Sequence, residues 1–275
     1  MINDTITIPY GDQNRSHYFT DPIYGTLKKI FIEINEDLHE YDDYYTVIIN
    51  VVESTITTIN HNDTSKIDKI HSNLNLKYGS FMEELPEQKM AVAYLTGNEK
   101  VLEIGGNIGR NSLIIASILN NNANFVTLES DVNIAKQLTE NRDLNNFNFH
   151  IESSALSKRK LIQRGWDTIP SDTLQDGFNW VNTITLDELN AKYNIVFDTL
   201  VLDCEGTLYY ILMDMPEILD NIKLIIMEND YWDLSKKQYV DKILSEHKFY
   251  VDYAESGGWG PCYQNFFEVW KKVLV

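Results

Sequence analysis

The sequence is short of cysteine and of basic residues. Only two cysteines, Cys204 and Cys262, occur in 275 residues, and their wide separation gives neither a disulfide framework nor the paired spacing of a zinc site. Such scarcity fits a reducing compartment. Lys and Arg number 23 against 41 Asp and Glu, for a net charge of −18. Because this acidity repels nucleic acid and anionic membranes, we expect neither as a partner and take solubility as its plain reason.

Long apolar runs are absent as well. No stretch of about eighteen apolar residues occurs, so no membrane-spanning helix is expected. The first residues, MINDTITIPYGDQ, lack the basic and apolar regions of a secretory signal. We therefore expect a cytoplasmic location.

One compact motif, VLEIGGNIGRNSLIIASIL at Val101–Leu119, organises the rest of the chain. Val101–Ile104 is a short apolar run that predicts a buried parallel strand. The GGNIG segment at Gly105–Gly109 predicts a turn, and Ser112–Leu119 has the apolar spacing of a helix packed on the sheet. Strand, glycine turn and helix together are typical of the nucleotide-binding start of an open α/β sheet, where glycines such as Gly106 let a ligand approach the backbone.

The turn is not the dinucleotide fingerprint. A G-x-G-x-x-G motif from Gly105 would need glycine where Asn107 and Arg110 stand, which disfavours a nicotinamide dehydrogenase. The actual pattern is E-x-G-x-N-x-G, built from Glu103, Gly105, Asn107 and Gly109. This form is common in methyltransferases that bind S-adenosylmethionine. The alternative is a tight turn without a ligand.

The next two predicted strands also end in polar residues. Phe125–Glu129 ends in an acid about twenty residues after the glycine turn, where open α/β folds bind ribose hydroxyls, so Glu129 is the predicted ribose ligand. Phe147–Ile151 is the third predicted strand. Ser154 and the backbone of Ala155 follow it, at the position that reads adenine in such folds.

A polar excursion at Lys158–Thr183 follows, and it contains Trp166 and Trp180. The same segment contains Arg159 and Arg164. Tryptophan and arginine side chains together suit a polar, ring-shaped or anionic acceptor at the ligand-binding end of the sheet. The alternative is a lid that packs its own tryptophans.

Two later predicted strands end in carboxylates. Phe197–Asp203 runs into Asp203-Cys204-Glu205-Gly206, and Leu224–Glu228 runs into Asn229. The last two predicted strands, Phe249–Tyr253 and Asn265–Trp270, have no helix between them and must run antiparallel. The pattern predicts an α/β fold of the class I methyltransferase (Rossmann-like) type, with a mostly parallel seven-stranded sheet and a final antiparallel strand.

Residues 1–80 differ from the remainder. Thr5–Pro9, Gly25–Ile34 and Tyr45–Ile59 are rich in Ile, Val, Thr, Tyr and Phe and are separated by polar turns, which predicts a small antiparallel sheet. We therefore predict a β-rich N-terminal region over 1–80 and a methyltransferase domain over 81–275. The N-terminal strands could pair across a homodimer.

At this point a family resemblance is evident. The chain resembles the FkbM-type methyltransferases over about residues 85–270, in four segments: VLEIGGNIG, TLDEL at Thr185–Leu189, LVLDCEG at Leu200–Gly206 and IIMEN at Ile225–Asn229. The resemblance implies S-adenosylmethionine as methyl donor and O-methylation, often of sugar or natural-product hydroxyls.

The same resemblance assigns roles by position. It implies that the E-x-G-x-N-x-G residues hold the methionine moiety, that Glu129 holds the ribose, and that Asp203 and Glu205 face the reaction centre. Two departures stand out. Ser154 occupies the adenine position where the family pattern has an acid, and the β-rich residues 1–80 lie outside the shared domain, so acceptor identity does not carry over.

A hydroxyl acceptor needs help to lose its proton, since its pKa lies far above neutral pH. Asp203 or Glu205 could act as the general base. Alternatively, Asp203, Glu228 and Asn229 form an oxygen-rich set that suits Mg²⁺. The sequence leaves both routes open.

The predicted activity is S-adenosylmethionine-dependent O-methylation of a sugar or glycan hydroxyl. The residues predicted to hold the cofactor are Glu103, Gly105, Gly106, Asn107, Gly109, Glu129, Ser154 and Ala155. The alternatives are an O-methyltransferase for a small natural product and a non-catalytic Rossmann-like binding or scaffold module. The carboxylates argue against the scaffold, which would have no use for acids on the ligand edge.

Overall fold

In the computed structural model, which describes residues 5–11, 15–16, 19–20, 28–60 and 65–273, the chain divides into two units, Met1–Lys66 and Ile67–Val275. The helices are α1 (Ser65–His71), α2 (Leu85–Tyr94), α3 (Arg110–Ile118), α4 (Val132–Leu144), α5 (Leu186–Tyr193), α6 (Leu208–Asp214) and α7 (Leu234–Glu246). Among these described residues, none of the helices has the length and apolar character needed to cross a bilayer.

The N-terminal unit contains short antiparallel strands, as its composition predicts. Its strands are β1 (Thr5–Ile8), β2 (Ile30–Ile34), β3 (Asp37–Tyr41), β4 (Tyr45–Asn50) and β5 (Thr55–Asn60). They form a β2–β3 hairpin and a three-stranded β1–β4–β5 sheet rather than one sheet. The first three residues of the predicted strand Gly25–Ile34 lie outside the described residues.

The larger unit is built on one seven-stranded sheet. Its strands are β6 (Val101–Ile104), β7 (Phe125–Leu128), β8 (His150–Glu152), β14 (Thr199–Leu202), β15 (Leu224–Glu228), β16 (Phe249–Glu255) and β17 (Phe267–Lys272), in the order β16-β17-β15-β14-β6-β7-β8. Strands β6, β7, β8, β14 and β15 are parallel, whereas β17 runs antiparallel to both neighbours. The predicted layout is therefore confirmed.

The centre of this sheet is buried on both faces. Every residue of β6, β7 and β14 is buried. Helices cover both faces of a parallel sheet, so side chains on both faces of its central strands are buried and mostly apolar. From β6 the chain builds outward through β7 and β8, and it then returns to place β14 on the opposite side of β6. The β6/β14 boundary is thus the switch point at which ligands bind in open α/β sheets.

The excursion after β8 forms small sheets of its own. Strands β10 (Leu161–Arg164), β11 (Asp167–Pro170) and β12 (Asn179–Val181) make an antiparallel sheet, while β9 (Ala155–Leu156) pairs in parallel with β13 (Thr183–Ile184). The turn between β10 and β11 carries Trp166. The β9–β13 pairing joins the start of the excursion to its end, next to the carboxyl end of β8.

Candidate functional site

A cavity of about 510 Å³ opens at the carboxyl edge of the large sheet, at the β6/β14 switch point. All of its lining residues lie in the larger unit. Gly105 and Asn107 line one side, where β6 ends, and Asp203 and Glu205 line the other, where β14 ends. This volume falls within the range of small-molecule sites in proteins.

Gly105 determines how closely the two sides approach each other. Its φ is +92°, and a Cβ atom placed on it would lie 1.6 Å from the carbonyl oxygen of Asp203. The Asp203 amide donates a hydrogen bond to the Ile104 carbonyl at 3.1 Å, so β6 and β14 remain paired up to the cavity. Only glycine fits this position, because any side chain would collide with backbone.

Glu129 connects the glycine turn to the end of β7. Its Oε2 accepts a hydrogen bond from the Asn107 amide at 2.9 Å, and its Oε1 accepts one from the Asp131 amide at 2.8 Å. Burial raises the pKa of Glu129, while these two amide hydrogen bonds oppose the rise. The carboxylate lines the cavity and keeps free lone pairs on both oxygens, so it can still accept hydrogen bonds from ribose hydroxyls.

Ser154 and Ala155, the residues predicted to read adenine, both line the cavity. The Ser154 hydroxyl donates to Glu152 Oε1 at 3.3 Å. Glu152 is itself held by Lys192 at 2.6 Å and by the Tyr193 hydroxyl at 2.8 Å. An acid, Glu152, therefore lies two residues before Ser154, but its carboxylate is already bound by Lys192 and Tyr193.

The predicted cofactor residues divide into two groups. Gly105, Asn107, Glu129, Ser154 and Ala155 line the cavity, whereas Glu103, Gly106 and Gly109 do not. Glu103 is 2% exposed and accepts a hydrogen bond from the Ser112 hydroxyl, and burial raises its pKa to about 7. Gly106 packs against Thr127, and Gly109 begins α3 with φ +93°. These three shape the turn from outside the cavity lining.

Carboxyl groups crowd the β14 and β15 side of the cavity. Asp203 and Glu228 are hydrogen-bonded to each other, as are Glu205 and Asp230. Burial and the neighbouring acids raise the pKa of Asp203 to about 8, that of Glu205 to about 9 and that of Glu228 to about 11. Carboxyl groups this close cannot all ionise, so they share protons. Glu205 also has φ +50°, a strained conformation for a residue with a side chain.

These shared protons predict an unusual pH dependence of stability. The folded protein keeps them to higher pH than the unfolded chain does, so the free energy of unfolding falls as pH rises from about 5 to about 9. For the unliganded protein we expect a Tm at least about 3 °C lower at the alkaline end of that range, measured calorimetrically at constant ionic strength.

The Asp203→Asn variant should show a flatter pH profile, because its amide does not titrate. A surface variant, Glu246→Gln, should keep the wild-type slope. A wild-type Tm that stays level or rises across this range would contradict the proton sharing.

The structure does not support the predicted magnesium site. The Asn229 side chain donates through Nδ2 to the Asn265 carbonyl at 2.6 Å, its backbone amide donates to Phe266, and the residue does not line the cavity. Within residues 65–273, as in the other described ranges, no group of three or more His, Cys, Asp or Glu side chains is placed to hold a metal ion. The contact with the β16–β17 connection holds the Nδ2 side of the Asn229 amide, while its Oδ1 is buried without a hydrogen-bond partner. The structure therefore gives no support to Mg²⁺ at Asp203, Glu228 and Asn229.

Two further acids, Glu84 and Glu87, line the cavity from the start of α2. Glu84 Oε1 accepts from Arg110 Nη1 at 2.5 Å and from Asn107 Nδ2 at 3.0 Å. Arg110 also pairs with Glu83. Glu87 is 7% exposed and is hydrogen-bonded to Glu228. Sequence reasoning missed both acids, because carboxylates in the first turn of a helix are ordinary partners of its dipole and carry no separate signal.

Aromatic side chains also line the cavity. Trp166 and Trp259 both line the cavity while remaining 60% and 57% exposed, and Tyr210 lines it from α6. Trp180, the other tryptophan of the excursion, does not line the cavity. Exposed indole rings at a cavity mouth can stack on a ring-shaped ligand.

The strand order, the antiparallel β17 and the cavity at the switch point define the class I methyltransferase (Rossmann-like) fold. No protein-family model matches the chain, and no curated protein matches it in sequence. The fold is similar to that of a Bacillus cereus O-methyltransferase solved in complex with SAH, with 17% identity and a TM-score of 0.44 over 76% of this chain and 91% of that one.

Two other solved structures show a similar likeness. A ribosomal protein L11 methylase from Lactobacillus delbrueckii subsp. bulgaricus has 11% identity and a TM-score of 0.44 over 72% of this chain and 82% of that one. An rRNA methylase from Streptococcus thermophilus has 10% identity and a TM-score of 0.42 over 69% of this chain and 95% of that one.

Proposed function

We propose that this protein is an S-adenosylmethionine-dependent O-methyltransferase of the FkbM type, acting on a hydroxyl of an uncharged sugar or glycan. One observation carries the proposal. A single cavity joins the glycine turn and Glu129, which suit a nucleoside bearing an amino acid, to the carboxyl groups that follow β14. A donor and an acceptor bound in the two halves would meet at Asp203.

The donor half fits S-adenosylmethionine better than a dinucleotide. The backbone amides of Gly105 and Gly106 both donate to the Leu128 carbonyl, and the Asn107 amide donates to Glu129. The turn therefore has no set of free amides for a pyrophosphate, which dinucleotide sites require. A carboxylate such as Glu129, beside the turn, suits neutral ribose hydroxyls and repels phosphate.

The acceptor half favours an uncharged ligand over an anionic one. Among the residues that line the cavity, Arg110 is the only Lys or Arg, and it is paired with Glu83 and Glu84. Asp203, Glu205, Glu228 and Asp230 would repel a phosphate or carboxylate on the acceptor. Trp166 and Trp259 offer indole faces to a sugar ring.

Catalysis in this site requires positioning and the removal of one proton. When bound, S-adenosylmethionine supplies an electrophilic methyl carbon and a thioether leaving group. The chain holds the acceptor hydroxyl in line with that carbon, and the ionised form of Asp203 or Glu205 takes the hydroxyl proton as the new O–C bond forms. A base must be ionised, so near neutral pH the lower pKa of Asp203, about 8 against about 9 for Glu205, favours Asp203.

The test is transfer of a labelled methyl group from S-adenosylmethionine to a panel of acceptors. The panel pairs neutral sugars with their phosphorylated counterparts and includes phenolic natural products. We expect labelled ether products from neutral sugars and at least about tenfold lower kcat/KM for each phosphorylated partner. Labelling of phenols alone would replace the sugar by a natural-product acceptor, and labelling of phosphorylated sugars alone would overturn the acceptor assignment.

A further inference from the structure

Trp232 carries an indole ring that the protein leaves uncovered. It lies in the loop between β15 and α7 and is 74% exposed, more than any other tryptophan of the chain. A single exposed ring is ordinary on a protein surface, whereas adjoining exposed rings mark a binding surface. Trp232 has such a neighbour, because it lies against the loop that carries Trp259, which is 57% exposed.

The contact between Trp232 and this loop is made at Gly260. A Cβ atom placed on Gly260 would be 4.0 Å from each of three adjacent atoms of the Trp232 ring, and equal distances of this kind put Gly260 over the face of the ring. Trp259, the preceding residue, lines the cavity, whereas Trp232 does not. The two rings therefore follow one another outward from the cavity mouth, and we call them the aromatic surface.

The two loops that carry the aromatic surface are joined to each other. Cys262 Sγ donates to the Tyr231 carbonyl at 3.6 Å, and the Asn229 amide donates to the Phe266 carbonyl at 2.7 Å. The ring of Trp259 packs on that of the buried Phe266, with centroids 5.8 Å apart. These contacts hold the loops in place without a ligand, which lowers the entropic cost of binding one.

The cavity itself has little room for an acceptor longer than one sugar unit. Its volume is about 510 Å³, and sites of roughly 300–1,000 Å³ enclose one drug-sized ligand. The methyl donor is already a ligand of that size. Further units of a glycan would have to leave through the mouth, where the aromatic surface begins.

The charges around Trp232 distinguish between ligands that stack on indole rings. Single-stranded nucleic acid also stacks on aromatic side chains, but it binds in positively charged grooves. Here Asp230 and Asp233 flank Trp232 along the chain, and the nearest lysine in sequence, Lys236, is bonded to the Tyr210 hydroxyl at 3.1 Å. Neutral sugars need no positive charge, and their hydroxyls can donate to carboxylates, so a neutral saccharide fits best.

We propose that the aromatic surface binds a sugar unit next to the one that is methylated, so that the acceptor is a neutral glycan of two or more units. The reacting unit lies in the cavity against Trp259, and the following unit stacks on the exposed face of Trp232. The proposal rests on the proposed function and narrows its acceptor from a sugar to a saccharide chain.

The experiment measures labelled methyl transfer to neutral β-1,4-linked oligomers of glucose, mannose and N-acetylglucosamine, each from one to four units long. We expect kcat/KM to rise at least about tenfold between one and three units and then to level off, because one stacked ring contributes roughly that factor. Trp232→Ala should lower the ratio of the three-unit to the one-unit value at least about fivefold. Trp232→Tyr should keep most of the ratio, since tyrosine retains an aromatic face.

Trp180→Ala is the matched control. Trp180 is 49% exposed but does not line the cavity, so its removal should leave the length ratio at the wild-type value. S-adenosylhomocysteine binding, measured by calorimetry, should agree within about twofold among wild type and the three variants, because none of these substitutions touches the donor half.

The proposal and the proposed function fail differently. If sugars are labelled but kcat/KM does not rise with length, or if Trp232→Ala keeps the wild-type length ratio, only the proposal is overturned. It is also overturned if Trp232→Ala lowers transfer to all lengths equally and converts a dimer into a monomer in sedimentation velocity, because the ring then joins two copies of the chain. If no sugar of any length is labelled while S-adenosylhomocysteine still binds, the sugar acceptor of the proposed function falls and the proposal falls with it.

Discussion

The Asp203→Asn variant is expected to lose methyl transfer by about 10²- to 10⁴-fold, the usual contribution of a general base. Asparagine has the same shape but cannot take a proton from the acceptor. Donor binding should change much less, by under about tenfold, because the variant keeps the backbone that adjoins Gly105. Single-turnover transfer rates and calorimetry with S-adenosylhomocysteine measure the two effects separately.

Glu205→Gln is the matched comparison, since Glu205 also lines the cavity beside a carboxyl partner. The larger loss of rate identifies the base. If both variants and the double variant transferred methyl groups at the wild-type rate, neither carboxylate would be the base and the mechanism proposed above would be wrong. If no protein, wild type included, had transferase activity while donor binding persisted, a non-catalytic binding module would be favoured.

The Gly105→Ala variant is expected to be destabilised by at least about 3 kcal/mol, because overpacking against backbone and a positive φ both oppose the new methyl group. The added Cβ would lie 1.6 Å from the Asp203 carbonyl oxygen. For a unit of this size that loss lowers Tm by roughly 6–12 °C. We also expect S-adenosylhomocysteine binding to be lost, since the ends of β6 and β14 must separate.

Gly165→Ala separates strain from collision. Gly165 also has a positive φ, +59°, but a Cβ there would meet no atom within 4 Å. Its cost should be only about 1–2 kcal/mol, that of a left-handed conformation, and donor binding should be unchanged. Differential scanning calorimetry of both variants checks the comparison. Similar losses in both would contradict the close approach at Gly105.

The strands that form the cavity could be predicted from the sequence. Val101–Ile104 and Leu224–Glu228 are continuous apolar runs bounded by polar or glycine turns, and both strands form with the predicted bounds. Phe125–Glu129 was predicted as a strand as well, and the strand forms over Phe125–Leu128. Each of these signals is local, so it can be read from a short stretch of sequence.

Contacts between distant segments could not be predicted. Asn229 follows β15 as expected, yet its side chain is turned by Asn265, which lies 36 residues away along the chain. Glu87 reaches the cavity because α2 packs near β15, which no pattern in its own helix reveals. Strand ends therefore identified the edge of the sheet correctly, while the orientation of each side chain there depended on packing.

We propose above that this cavity binds S-adenosylmethionine rather than a dinucleotide, and calorimetric titration tests this directly. Wild-type protein should bind S-adenosylhomocysteine with one site per chain and give no binding heat with NAD or NADP under the same conditions. Binding of either dinucleotide, together with no heat from millimolar S-adenosylhomocysteine, would contradict the assignment.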